Sequence, residues 1–207
     1  MKHPTDPVTG SLPRQAERIG VRIDPDQALL LERFEQMLLR RAVPLGLVAE
    51  QDVQRIRTRH VLDCLRAVLA VRDGVEDAYD LGSGAGLPGL VLAIARPDLH
   101  IGLVEPRQRR VAFLELAVES LGVENVDVLP VRAEDLERRV DVCLARAFAP
   151  ARRAWRIASR LLRPGGALVY FAGEQFELSD APEGAISRQL RGSLLESTGP
   201  LVIMTQQ

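Results

Sequence analysis

Apolar positions recur at helical intervals through the first third of the chain and then collect into short runs, with the change of period near residue 77. Asp24-Pro25 reads as a helix cap followed by proline in the first turn. Leu29, Leu30, Phe34, Met37 and Leu38 carry that helix to about Arg41, where Pro44 and Gly46 interrupt the pattern. The spacing predicts a second helix over Asp52–Val71, with Ile56, Val61, Leu62, Leu65, Val68 and Leu69 facing inward, ending before Asp73-Gly74. Ahead of both, Pro4, Pro7, Gly10 and Pro13 punctuate a stretch with little periodicity. The expected organisation is a flexible tail over 1–23, a helical cap over 24–73 and a main domain over 74–207. No linker separates the cap from the main domain.

Beyond residue 77 short apolar strands alternate with helices. Strands are expected at Ala78–Leu81, Ile101–Glu105, Val126–Leu129, Val140–Ala145 and Ala167–Ala172. Helices are expected at Leu87–Ala95, Arg109–Leu121 and Ala151–Leu162, and Ala185–Gln189 with Pro200–Thr205 can supply a final antiparallel pair. Such alternation indicates an α/β fold, a doubly wound and mostly parallel sheet covered on both faces.

Composition changes this picture little. The chain has 207 residues, of which 46% are hydrophobic and 27% charged, as in ordinary water-soluble domains. Cys64 and Cys143 both lie in apolar stretches and read as reduced thiols. Neither a membrane-length apolar run nor a leader-like N-terminus is present, so a cytoplasmic protein is expected. A net charge of −1 makes no global case for nucleic acid, yet arginines cluster at 107–110 and again from Arg152 to Arg163.

The chemistry-bearing segment is Asp80-Leu81-Gly82-Ser83-Gly84-Ala85-Gly86-Leu87-Pro88-Gly89. Glycines at a strand-to-helix turn allow positive φ and bring backbone N–H groups close to a ligand. The run also satisfies the dinucleotide pattern G-x-G-x-x-G, a weak signal by itself. Asp80 offers a carboxylate to a ligand amine or caps the turn. Glu105, at the next strand's end, stands where an acid accepts both ribose hydroxyls of an adenine nucleoside. Leu162-Arg163-Pro164-Gly165-Gly166 adds a helix stop and a tight turn before the fifth strand.

With these elements aligned, residues 59–173 resemble the RsmG family, also called glucose-inhibited division protein B. Arg59-His60-Val61-Leu62-Asp63-Cys64 is similar to its R-H-[IFL]-L-D-S segment, and Asp80–Gly89 to D-[VI]-G-[TS]-G-[AP]-G-[FL]-P-G. Arg109–Leu114 resembles K-R-x-x-F-L, and Arg146-Ala147-Phe148-Ala149 resembles R-A-[FV]-A. The resemblance implies a class I methyltransferase fold, S-adenosylmethionine as cofactor, and N7 methylation of a guanosine in small-subunit ribosomal RNA. It places Asp80, Gly82, Ser83, Gly84, Gly86, Leu87, Glu105, Ala133, Glu134 and Arg146 on the cofactor side. His60, Arg110 and Phe148 fall to the substrate, and Arg146 to positioning. No metal and no general base are expected, because N7 carries no proton. The partner would be the small ribosomal subunit or its RNA, and the enzyme a monomer.

Three positions depart from the family pattern. Leu45-Gly46-Leu47-Val48 replaces N-L-T, Ala172-Gly173 lacks the lysine of [LF]-K-G, and Ser197-Thr198-Gly199-Pro200 lacks an arginine. The losses keep open another methyl acceptor, cofactor binding without turnover and, more remotely, a nicotinamide-dependent hydride transfer.

Overall fold

A computed structural model describes residues 10–190 and 198–206. Seven strands form one sheet: β1 Asp77–Leu81, β2 His100–Val104, β3 Val126–Leu129, β4 Val140–Arg146, β5 Leu162–Phe171, β6 Ala185–Leu190 and β7 Leu201–Gln206. Their order is β3-β2-β1-β4-β5-β7-β6. The first five are mutually parallel, and β7 runs antiparallel to both β5 and β6. The expected terminal pair is therefore present.

Alternation along the strands divides the core. On β4, Val142 and Leu144 enter one apolar cluster while Cys143 and Ala145 enter the other, as period-two side chains must. The first cluster is covered by α2 (Pro25–Met37), α3 (Asp63–Leu65), α4 (Gly89–Ala95) and α5 (Gln108–Leu121). The second lies under α6 (Ala151–Leu161). All seven residues of α4 are buried, because the helix lies between the sheet and the N-terminal helices. Cap and sheet thus share one core.

Four expectations need correction. Residues 1–9 of the expected tail lie outside the described residues, but the remainder folds. Ser11 precedes α1 (Leu12–Arg18), with Pro13 in its first turn and Leu12 and Ala16 fully buried. The first cap helix has its Asp24 cap, completed by a reciprocal bond from Gln27, but passes into a π turn at Leu38–Ala42. The second is a composite of a 3-10 turn (Glu50–Arg55), a π turn (Ile56–Leu62), α3 and a further 3-10 turn (Arg66–Leu69). Its changing pitch rotates Leu69 outward, leaving it 48% exposed. Finally, the expected helix-stop turn is part of β5. Val140 pairs with Leu162 and Val142 with Ala167, so Arg163–Gly166 bulge from the ladder. Arg163 fastens that bulge by donating to Asp77 at 2.6 Å and Asp141 at 2.9 Å.

Candidate active site

The glycine loop leaves β1 and folds back over the end of β2. Gly82 and Ser83 donate their N–H groups to the Val104 carbonyl at 2.8 and 3.1 Å. Gly82, Gly84 and Gly86 hold φ of +73°, +58° and +83°, which L side chains resist. A Cβ on Gly82 would stand 2.7 Å from Phe148 Cδ2, so the Phe148 ring closes on the loop. Glu105 lies beneath the bend at 2% exposure. Its Oε2 accepts from Gly84 N–H at 3.1 Å and from Arg110 Nη1 at 3.2 Å, and its Oε1 accepts from Arg107 N–H at 3.0 Å. Loop and acid, 21 residues apart in sequence, therefore meet at one place.

Asp80 lies deeper. Its Oδ2 accepts from Gly89 N–H at 2.9 Å, and its Oδ1 is buried with no partner among the described residues. Burial pushes its carboxyl up to about 7, against the lowering effect of the Gly89 bond. An unpartnered buried oxygen beside a loop whose glycines leave room for close approach suits a ligand that combines a nucleoside with a cationic group.

The other half of the site is built on Arg146, the last residue of β4. Its Nε donates to Asp63 at 3.4 Å, and its Nη2 donates to the Arg59 carbonyl at 3.0 Å. Nη2 also lies 3.2 Å from His60 Nδ1, while His60 Nε2 lies 3.1 Å from Asp52. An always-charged guanidinium can only donate, so Nδ1 accepts and Nε2 carries the proton to Asp52. Burial, reinforced by Arg146, pushes the imidazole down to about 4. His60 is thus neutral near pH 7, with both ring nitrogens engaged. Ala147 follows at φ +51°, a left-handed conformation rare for a residue with a Cβ. The turn separates Arg146 from Phe148, so the first faces the helical cap and the second the glycine loop.

Two cavities meet at this wall. The smaller, about 280 Å³, is lined by Leu47, Val48, the Gly82–Ala85 loop and Arg110. The larger, about 730 Å³, extends past Arg59, Asp63, Tyr170 and Glu174. Asp52, His60, Arg146 and Ala147 line both.

Most candidate residues converge here. Gly82, Ser83, Gly84, Leu87, Arg146 and His60 line the smaller cavity, with Glu105 and Asp80 beneath it. Arg110, expected on the substrate side, lines the smaller cavity and is bonded to Glu105. Arg146 pairs with Asp63, whereas Asp141, on the same strand, pairs with Arg163. Ala133 is buried, but Glu134 points outward into an ion pair with Arg153 at 3.0 Å. Sequence reasoning missed Asp52 and Asp63. Asp63 follows His60 by three residues, a spacing that puts both on one face of a helix. The departures from the family pattern fall on the walls: Leu47 and Val48 in the smaller cavity, Ala172, Gly173, Thr198 and Gly199 in the larger. Ser197 lies outside the described residues. The two thiols are buried and unpaired, and burial pushes both well above the usual thiol range.

The sequence profile of the family described as "GidB: rRNA small subunit methyltransferase G" matches residues 27–192. A "Ribosomal RNA small subunit methyltransferase G" of Nocardioides sp. is 45% identical over 168 residues, covering 80% of this chain and 65% of the relative. The protein of the same name from Leifsonia xyli subsp. xyli is 38% identical, with 81% of each chain covered. The chain spans between 60% and 65% of the length of the first four relatives it matches. Among solved structures, "MtNAS in complex with MTA and tNA" superposes with a TM-score of 0.59 at 18% identity, covering 86% of this chain and 70% of that one. "WT Trm5b from Pyrococcus abyssi" does so at 0.54 and 16%, covering 73% and 48%. At those identities the likeness is one of fold alone.

Proposed function

Because the chain belongs to the rRNA small subunit methyltransferase G family and has the class I methyltransferase fold, we propose that it is a cytoplasmic, monomeric enzyme that uses S-adenosylmethionine to methylate N7 of a guanosine in small-subunit ribosomal RNA. One observation carries the reading: the Glu105 carboxylate is bonded to Gly84 N–H directly beside the cavity that Arg146 walls off.

When bound, S-adenosylmethionine supplies an electrophilic methyl group. The residues present suit it. Glu105 accepts the ribose hydroxyls, the Gly82–Gly86 bend admits close approach of the nucleoside, and Leu47 and Val48 give the cavity an apolar wall. The ionised Asp80 carboxylate counters the ligand's positive charge. On the acceptor side, Arg146 presents its Nη1 N–H groups, which have no partner among the described residues, to a guanine oxygen. Asp63, His60 and the Arg59 carbonyl fix the guanidinium plane. N7 attacks through a lone pair, so no residue must remove a proton, and His60, engaged at both nitrogens, has none to take. Catalysis is then mostly alignment, worth about 7–11 kcal/mol when the geometry is near-attack.

Labelled methyl donor incubated with unmethylated small ribosomal subunits should deposit label in their RNA. Label confined to small metabolites would replace this reading with a small acceptor, which the absence of lysine from the larger cavity would suit. A titration in which NAD binds and S-adenosylmethionine does not would reject the cofactor.

Asp80 makes the affinity pH-dependent. Its folded value is raised, so below about 7 the carboxyl is protonated and neutral. A cationic ligand favours the ionised form, so binding should release a proton and tighten as pH rises from about 6 towards 7. Asp80→Asn should abolish the trend. Calorimetry in two buffers of different ionisation enthalpy measures the released proton, and a flat profile without proton release would contradict this role.

A further inference from the structure

The arginines of α6 separate into two classes once their partners are known. Arg163, just past the helix, is held by Asp77 and Asp141. Arg153 is paired with Glu134. Arg152, Arg156 and Arg160 are exposed, and no carboxylate meets their side chains among the described residues. They stand four residues apart, so they follow one another along the solvent face at roughly 6 Å intervals. The opposite face of the helix is apolar and buried through Ala154, Trp155, Ile157, Ala158 and Leu161, which fixes the stripe outward. No acidic residue occurs anywhere in α6.

The stripe is also continuous with the site. Only Ala147–Pro150 separate Arg146 from the first turn of α6, and Phe148 in that connection closes on Gly82. A polymer whose reacting base enters the cavity beside Arg146 must leave it with its backbone on some flank, and this flank carries three uncompensated positive charges. Their interval is comparable to the separation of successive phosphates in a single strand. Guanidinium groups fit phosphate oxygens by paired N–H donors.

We propose that α6 is a phosphate track, on which Arg152, Arg156 and Arg160 hold the single RNA strand adjoining the acceptor base. The inference rests on the RNA reading of the site and deepens it: it names the surface that seats the flanking backbone. It also offsets the substrate-side positions where basic residues are missing, since Ala172, Gly173, Thr198 and Gly199 leave the larger cavity itself poor in phosphate partners.

The test is the salt dependence of binding to protein-free small-subunit ribosomal RNA, with intact unmethylated subunits as a second probe. For single-stranded contacts each neutralised phosphate contributes about 0.7 to the slope of log affinity against log salt. The triple variant Arg152→Gln, Arg156→Gln, Arg160→Gln should flatten that slope by about 2 and weaken binding roughly 50-fold at about 0.15 M salt. Its S-adenosylmethionine affinity should stay within about twofold of wild type, because the glycine loop is untouched; this also reports that it is folded. The conservative triple lysine variant should restore most of the slope. An unchanged slope in the glutamine variant overturns the track while leaving the methyltransferase reading intact. A slope change seen with intact subunits but not with free RNA assigns the stripe to an acidic protein face and equally overturns it. If wild type binds S-adenosylmethionine but neither binds nor methylates RNA, the functional reading fails together with the track.

Discussion

Replacing Glu105 with alanine should abolish useful cofactor affinity, raising the dissociation constant for S-adenosylmethionine by about 10²–10³. The carboxylate has three donors in the structure: the N–H groups of Gly84 and Arg107 and the Arg110 guanidinium. At 2% exposure it is not shared with bulk water. Each hydrogen bond to such a charged group contributes roughly 1.5–3 kcal/mol, and two ribose hydroxyls at the lower end of that range account for the expected loss. Glu105→Gln keeps the shape and one acceptor, so it should fall between wild type and alanine. Arg110→Ala separates two roles for its neighbour. Arg110 occupies part of Glu105's accepting capacity, so removing it should leave cofactor affinity unchanged or better if the ribose takes its place. Isothermal titration of the three variants decides the matter, and near wild-type affinity in Glu105→Ala would place the nucleoside elsewhere.

Arg146→Ala should instead lower the rate of methyl transfer by about 10²–10³ while changing cofactor affinity by less than about tenfold. The loss would come from the acceptor, because the guanidinium is the group that presents donors where the two cavities meet, and one preorganised donor contributes about 2.7–4 kcal/mol in comparable settings. Removing it also leaves Asp63, 11% exposed, with Arg66 as its remaining partner at 2.7 Å. Arg146→Lys should recover little, since a single ammonium cannot serve Asp63, the Arg59 carbonyl, His60 and a substrate together. Single-turnover measurements at saturating cofactor isolate the chemical step. Equal losses in affinity and rate would mean that Arg146 merely holds the fold.

The halves of the site differed in how readily the sequence disclosed them. Glu105 and the glycine loop were legible because parallel strands of nearly constant length bring consecutive strand ends to one edge. Arg146 was legible for the same reason. Asp52 and Asp63 were not, since the segment that carries them changes from 3-10 to π to α pitch, and no single periodicity marks the inward face. The partner of Asp63 is a strand residue 83 positions further on, and Asp52 reaches that residue only through His60. The bond from Arg110 to Glu105 was not legible, because Arg110 was read as part of a basic cluster. Helical side chains lean toward the N-terminus, which carries Arg110 back over Glu105. The helix at Leu12–Arg18 had a readable start in Ser11 and Pro13, but its apolar face is only Leu12 and Ala16, too short to register as a period.

The shared wall has a consequence for any attempt to apportion energies. Asp52, His60, Arg146 and Ala147 border both chambers, so a change at any of them alters the surroundings of donor and acceptor at once. Free energies measured there will not divide into separate contributions for the two ligands. A thermodynamic cycle pairing one of these four residues with Glu105 or with Arg156 would carry a cross term, whereas one pairing Glu105 with Arg156 directly should be additive.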